Sequence, residues 1–179
     1  MPIGSISWHD AIRYCNKLSE DENLPSCYTI SNQEILWENL YKCIGFRLPT
    51  YEEYTLIWTE ILPDFKRDGF SHYSWFRTAN LTEPQLPAQL HPDKLGLYDI
   101  AGNMWEWAWD EYNGIEQPSR FPLTNSLRSW RHRALFGGSW LTMAPQLSEA
   151  PMSHLAPQSR GFDIGFRVVR SINVVQDTP

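Results

Sequence analysis

Between Met104 and Asp110 the chain reads Met-Trp-Glu-Trp-Ala-Trp-Asp. This alternation has the period of an extended strand, so Trp105, Trp107 and Trp109 share one face while Glu106, Ala108 and Asp110 share the other. Three neighbouring indoles need a large apolar surface to pack against, and the core must form on that side of the strand. Tyr98 is expected to join them there. Nine Trp, eight Tyr and eight Phe, together with 13 Pro and 10 Gly, extend the same picture. Aromatic anchors hold long irregular connections, and such loops often carry binding sites.

Helical patterning is confined to the first third of the chain. Ser7 and Asp10 make a capping box, after which Trp8, Ala11, Ile12, Cys15 and Leu18 recur at helical spacing to about Glu20. Thr50 and Glu53 make a second box that opens a helix through Tyr54, Ile57, Trp58 and Ile61, with Pro63 expected to stop it. Leu24 to Phe46 reads as irregular with short strands, Tyr28–Ile30 among them. Further strands are expected at Tyr73–Arg77, Met104–Asp110, Ala134–Phe136 and Phe166–Val169. Two helices with a small twisted antiparallel sheet and long irregular loops make an α+β fold.

A formal net charge of -6 leaves no electrostatic footprint for nucleic acid. The short basic cluster Arg128, Arg131, His132 and Arg133 reads as a solvated loop. No apolar run approaches the roughly 18 residues of a membrane span, and Met1 to Asp10 has neither the basic nor the apolar region of a signal peptide. Cys15, Cys27 and Cys43 lack Cys-x-x-Cys spacing. Buried free thiols are the reading preferred for all three, with a Cys27–Cys43 disulfide in an exported protein as the alternative; zinc is not expected. The compartment stays open.

Five segments in order carry a resemblance. They are Ser5-Ile-Ser-Trp-His-Asp-Ala11 with Tyr14-Cys15, Gly45-Phe-Arg-Leu-Pro-Thr50 with Glu53, and Gly96-Leu-Tyr-Asp-Ile-Ala-Gly-Asn-Met-Trp-Glu-Trp107, followed by Gly137-Gly-Ser-Trp140 and Gly165-Phe-Arg167. Together they resemble the formylglycine-generating-enzyme (sulfatase-modifying factor) family, which implies a C-type-lectin-like fold over roughly residues 4 to 170. The expected organisation is one domain at 1–170 and a tail at 171–179. That family's domain usually begins with a further strand-rich segment, so a minimal domain or a fragment is expected, with sheet edges that another segment would cover.

The resemblance also implies a site, and there the sequence departs from the pattern. The active enzymes carry two cysteines after the Gly-Gly-Ser motif that hold copper and activate oxygen. The matching positions are Thr142 and Leu147. Neither can supply the soft thiolate field that Cu(I) requires, so no copper and no catalysis are expected. In the resembling enzymes the residue matching Glu106 binds structural calcium beside backbone carbonyls that correspond to Ala101, Gly102 and Met104. Calcium takes six to eight oxygens including a carboxylate; the alternative is a Glu106 that only caps the turn. Asp99 and Asp110 are lesser candidates, expected to be solvated. Arg47 and Arg167 are expected to hydrogen-bond loop carbonyls.

The stretch 141–163 has neither structural period, and in the resembling family it lines the functional face. Leu141, Met143, Gln146, Leu147, Met152, His154, Leu155 and Phe162 are the candidate ligand contacts, unless their apolar members fold back into the core. The leading expectation is a non-catalytic domain binding a protein or glycan ligand. Its sharper form is a variable protein of a diversity-generating retroelement, because such proteins resemble this family. The rivals are an oxidase or formylglycine generator with displaced ligands, and a scaffolding fragment completed by a partner chain or by self-association.

Overall fold

The tryptophan-rich run becomes the central strand. The computed structural model describes residues 1–32, 34–78, 80–112 and 132–172. In chain order its elements are α1 (Trp8–Asp21), β1 (Thr29–Ile30), β2 (Ile35–Leu36), β3 (Phe46–Arg47) and α2 (Tyr51–Asp68). β4 (Trp105–Tyr112), β5 (His132–Phe136), α3 (Ala144–Leu147), β6 (Met152–Leu155), β7 (Ile164–Gly165) and β8 (Val169–Arg170) follow. The main sheet runs β6-β5-β4-β7, while β1 pairs with β2 and β3 with β8. The pairings are antiparallel except β4 with β7, which is parallel, so the sheet departs in one pair from the expected antiparallel pattern. The fold is α+β as expected. No helix among the described residues is long and apolar enough to cross a membrane.

Both capping boxes form as the sequence specifies. Ser7 Oγ accepts from the Asp10 amide and the Asp10 carboxylate accepts from the Ser7 amide at 3.0 Å. Thr50 and Glu53 repeat the exchange at the start of α2. Pro63, however, does not stop that helix, which continues to Asp68 and ends at Gly69 with φ +90°. Proline removes one amide bond to the carbonyl four residues back, but Ile61 and Phe65 on either side are buried, at 0% and 1% exposure. Packing of Phe65 against Tyr73, with ring centroids 4.5 Å apart, outweighs the missing bond.

β4 is buried on both sides. Trp107, Trp109 and half-buried Trp105 face a core built with Trp8, Ile12, Cys15, Tyr28, Trp37 and Leu48. On the opposite face Ala108 and Ala134, both 0% exposed, let Tyr54 and Trp58 of α2 approach the sheet. Tyr98 is not in this core: it is 40% exposed, since its motif turns over the end of the sheet before β4 begins. Asp110 is buried at 2% exposure rather than solvated, because α2 covers its face and its carboxylate accepts from the Tyr51 amide at 2.7 Å.

Three further expectations are revised. Tyr73–Arg77 forms only a single bridge, from Trp75 to Gly102, because a 3-10 turn over Phe70–His72 precedes it. The strand expected at Phe166–Val169 is instead mostly the link between β7 and β8, which serve different sheets, and only Val169 belongs to a strand. Cys27 and Cys43 are joined in a disulfide and Cys15 alone is a free buried thiol, so the free-thiol reading holds for one cysteine of the three. Burial pushes the Cys15 thiol up to about 12. Arg128 and Arg131 of the basic cluster lie outside the described residues. Arg133 is not a solvated loop residue: its guanidinium lies 4.1 Å from the Trp8 ring centroid and donates to the Trp109 carbonyl.

The stretch 141–163 also contains more regular structure than its pattern suggests, namely α3 and the edge strand β6. Met152 packs against the α2-side core and Leu155 against the tryptophan core. Substituting serine at either should lower stability by about 1–3 kcal/mol, while Met143→Ser, at a side chain 51% exposed, should cost under about 0.5 kcal/mol. Urea denaturation of the three single variants measures the contrast.

Burial pushes the Asp110 carboxyl up to about 6, against the pull of the Tyr51 amide and Arg133. The folded state therefore holds this proton more tightly than the unfolded chain does. Stability that is full below about pH 4 is lost as pH rises through about 6. Asp110→Asn keeps an acceptor for the Tyr51 amide and removes the titration. It should be the more stable protein at neutral pH, by up to about 3 kcal/mol, with the difference closing below about pH 4; denaturation at the two pH values checks it.

Candidate functional site

The Gly137–Trp140 motif makes the turn from which the site is built. Gly138 has φ +74°, and a Cβ there would meet Leu147 Cδ2 at 2.9 Å and Thr142 Oγ1 at 3.0 Å. Only glycine allows these two side chains to close on the turn. Thr142 Oγ1 accepts from the Ser139 amide at 2.9 Å, and the Ser139 hydroxyl donates to the Asp163 carboxylate at 2.8 Å. The turn is thereby tied to the segment that leads into β7, and the Asp163 carbonyl accepts from the Trp105 amide. The motif, α3 and the strands on either side thus form one hydrogen-bonded frame.

A cleft of about 560 Å³ opens beside Thr142. Its walls include Tyr51 and Tyr54 of α2, Trp105 of β4, Phe136 of β5, and Gln146, Glu149 and Met152 from the 141–163 stretch. Tyr54 stacks on Phe136 with centroids 4.7 Å apart and donates to the Ile100 carbonyl, which fixes the aromatic wall. Its phenol is pushed far above the ordinary tyrosine range by burial, then by Glu106. It serves as a rigid donor and is not poised to ionise. The cleft is aromatic and largely neutral, with the Glu149 carboxylate its charged side chain.

The predicted ligand contacts do not form one surface. Leu141, Met143 and Phe162 are exposed at 38%, 51% and 63%, while Gln146 and Met152 line the cleft. Leu147 is 0% exposed, because it closes on Gly138 from inside; it belongs to the frame and offers no contact surface. Leu155 turns to the other side of the sheet from Met152, as the period of a strand requires. His154 stacks on Tyr112 with centroids 3.8 Å apart, and its Nδ1 lies 2.6 Å from that of His132. Burial and then the neighbouring His132 hold His154 below its ordinary pKa.

The residues matched to a calcium site are arranged around a different cation. Arg167 makes a two-pronged pair with Glu106, Nε to Oε2 at 2.5 Å and Nη2 to Oε1 at 2.6 Å. Its Nη2 also donates to the Tyr98 and Asp99 carbonyls. The Gly102 carbonyl accepts from the Met104 amide. Both Glu106 oxygens are thus engaged by a guanidinium in this arrangement. Among the described residues no group of three or more His, Cys, Asp and Glu side chains is placed to hold a metal ion. The expectation that Arg47 and Arg167 bond loop carbonyls holds for Arg167, and Arg47 donates to the Leu48 carbonyl and to both Glu53 oxygens.

Sequence reasoning missed the far wall of the cleft. Tyr51, Tyr54 and Phe136 carry ordinary core signals, and nothing in their spacing announces that α2 leans over the Gly137–Trp140 turn. Trp105 could have been singled out as the outermost of the alternating indoles, where a strand's buried face begins to open.

The sulfatase-modifying factor enzyme 1-like domain matches residues 62–172. The chain is 27% identical to Chaperone protein LppX of Paenibacillus barcinonensis, over 95% of this chain and 70% of that protein. It is 25% identical to the formylglycine-generating enzyme of Mus musculus over 93% of this chain, but spans only 43% of the mouse enzyme's length. Treponema denticola variable protein 1 superposes with a TM-score of 0.76 and 25% identity, covering 96% of this chain and 71% of that one. The motif order, the frame around Gly138 and these likenesses agree, and the chain belongs to the sulfatase-modifying factor enzyme 1-like domain family.

Proposed function

We propose that this chain is a non-catalytic, ligand-binding member of its family, presenting the cleft beside Thr142 and the exposed side chains of Leu141, Met143 and Phe162. The observation that carries the reading is the packing on Gly138. Where the resembling enzymes have two copper-holding cysteines, Thr142 and Leu147 close on that glycine, one through a hydroxyl bonded to the Ser139 amide and one through a buried alkyl group. The cleft remains, with a volume and an aromatic lining suited to a small organic ligand or a ligand side chain. A finer version, supported by the likeness to Treponema denticola variable protein 1, is a diversity-generating-retroelement variable protein. Its signature would be a neighbouring reverse transcriptase gene and a near-repeat of the stretch encoding residues 137–167.

The test is direct. A sulfatase-type cysteine peptide incubated with the protein under oxygen should stay unmodified, and Cu(I) should produce no thiolate charge-transfer absorption. The double variant Thr142→Cys with Leu147→Cys should gain that absorption, because both side chains reach the same glycine. Formylglycine produced by the parent protein, above a control without it, would overturn the reading.

We propose also that Arg167 serves as the counter-ion of Glu106, in the place that calcium takes in the resembling enzymes. A chelator should then leave the melting temperature unchanged. Arg167→Met should lower stability by about 3–5 kcal/mol, because it strands a largely buried carboxylate. A melting temperature raised by added calcium would count against Arg167 in this role.

A further inference from the structure

A second pocket, of about 320 Å³, lies in the segment after α2, apart from the cleft. Its frame is rigid. Trp75 bridges to Gly102, where φ is +76° and a Cβ would strike the Trp75 carbonyl at 2.1 Å. The same carbonyl accepts from the Asn103 amide, and the Asn103 side chain exchanges two hydrogen bonds with the Gln85 backbone. The Arg77 amide donates to the Thr142 carbonyl and anchors the segment to the Gly137–Trp140 turn.

The chemistry of the lining is uniform. Ser74, Trp75, Phe76, Asn80 and Gln85 are representative, and no lining residue is charged. Ser74 is 3% exposed, and its hydroxyl has no hydrogen-bond partner; the Trp75 indole N–H likewise has none. A buried hydroxyl without a partner is costly, and the cost is recovered if a ligand oxygen meets it. The Ser74 hydroxyl is sealed from solvent as it stands, so binding would require its side chain to rotate toward the ligand. Amide side chains both donate and accept, as the hydroxyls of a sugar do, and aromatic side chains supply an apolar surface for its carbon face. A charged ligand would lose its hydration here without gaining a counter-charge.

We propose that this pocket binds one uncharged hexose unit of a glycan. It does not rest on the reading of the Thr142 cleft: the two sites share no lining residue, and either can fail alone. Saturation-transfer NMR with methyl glucoside, methyl galactoside, methyl mannoside and N-acetylglucosamine tests it, with glucuronate and glucosamine as the charged arms. At least one neutral sugar should receive saturation, and the charged sugars should receive less. Ser74→Ala should weaken that binding roughly fivefold to tenfold while leaving the ligand-free melting temperature unchanged or raised, since it removes an unpartnered buried hydroxyl. Asn80→Leu, at an exposed position on the rim, should weaken it too and provides a second reading that does not touch the core. Absence of transfer to every neutral sugar would overturn the proposal. So would equal binding of the charged sugars, or binding indifferent to both substitutions.

Discussion

Among the described residues, the indole of Trp109 packs against the rings of Trp8, Tyr28 and Trp37, with centroids 5.5, 5.1 and 5.6 Å away. Arg133 lies over the Trp8 and Trp109 rings and donates to the Trp109 carbonyl. Such contacts add attraction to the burial of large apolar areas. They draw α1, the disulfide-linked segment around Tyr28 and the neighbouring strand β5 onto one face of β4. Trp8 also donates from its indole to the Ala108 carbonyl and Trp107 to the Ile6 carbonyl, so these two indoles satisfy their polar atoms while fixing the chain's first residues. The other face of β4 receives α2 because Ala108 and Ala134 leave room for its aromatic rings. Most of the remaining structure is loop, held where this strand puts it.

Two arginine–glutamate pairs organise those loops. Arg47, 3% exposed, reaches both oxygens of Glu53 while Glu53 also caps α2, so one carboxylate fixes a helix start and a strand end together. Arg167 joins Glu106 to the Tyr98 and Asp99 carbonyls, linking the segment after β7 to β4 and to the turn before it. Arginine suits both places because its planar fork serves a carboxylate and further acceptors at once. Burying such pairs is costly in desolvation, and their service here is positional. They hold the ends of irregular segments where neither helix nor sheet bonding can do so.

The same frame holds the 141–163 stretch in place. The Gly138 turn, the Ser139–Asp163 bond and the parallel β4–β7 pair position the 141–163 stretch through backbone and glycine geometry. The cleft is kept by residues that belong to the core as much as to the site, Tyr54 and Phe136 above all.

Local rules were legible in the sequence. Both capping boxes, the start of α2, the strand at Trp105 and the motif order that shows the family follow from nearest neighbours and from spacing. Rules of that range failed where distant packing decided the outcome. Pro63 sits inside a helix because Phe65 has a place in the core. Cys27 and Cys43 meet because the segment between them folds back past Trp37, and Asp110 is buried because α2 lies over it. Leu141, Met143 and Phe162 remain exposed while Leu147 and Leu155 do not, although all five are equally apolar in the sequence. Period and composition determined which elements form and which side of β4 is apolar. Which apolar residues stay in water depended on what the tertiary fold brought above each of them, because burial belongs to the neighbours that surround a side chain and not to the side chain itself.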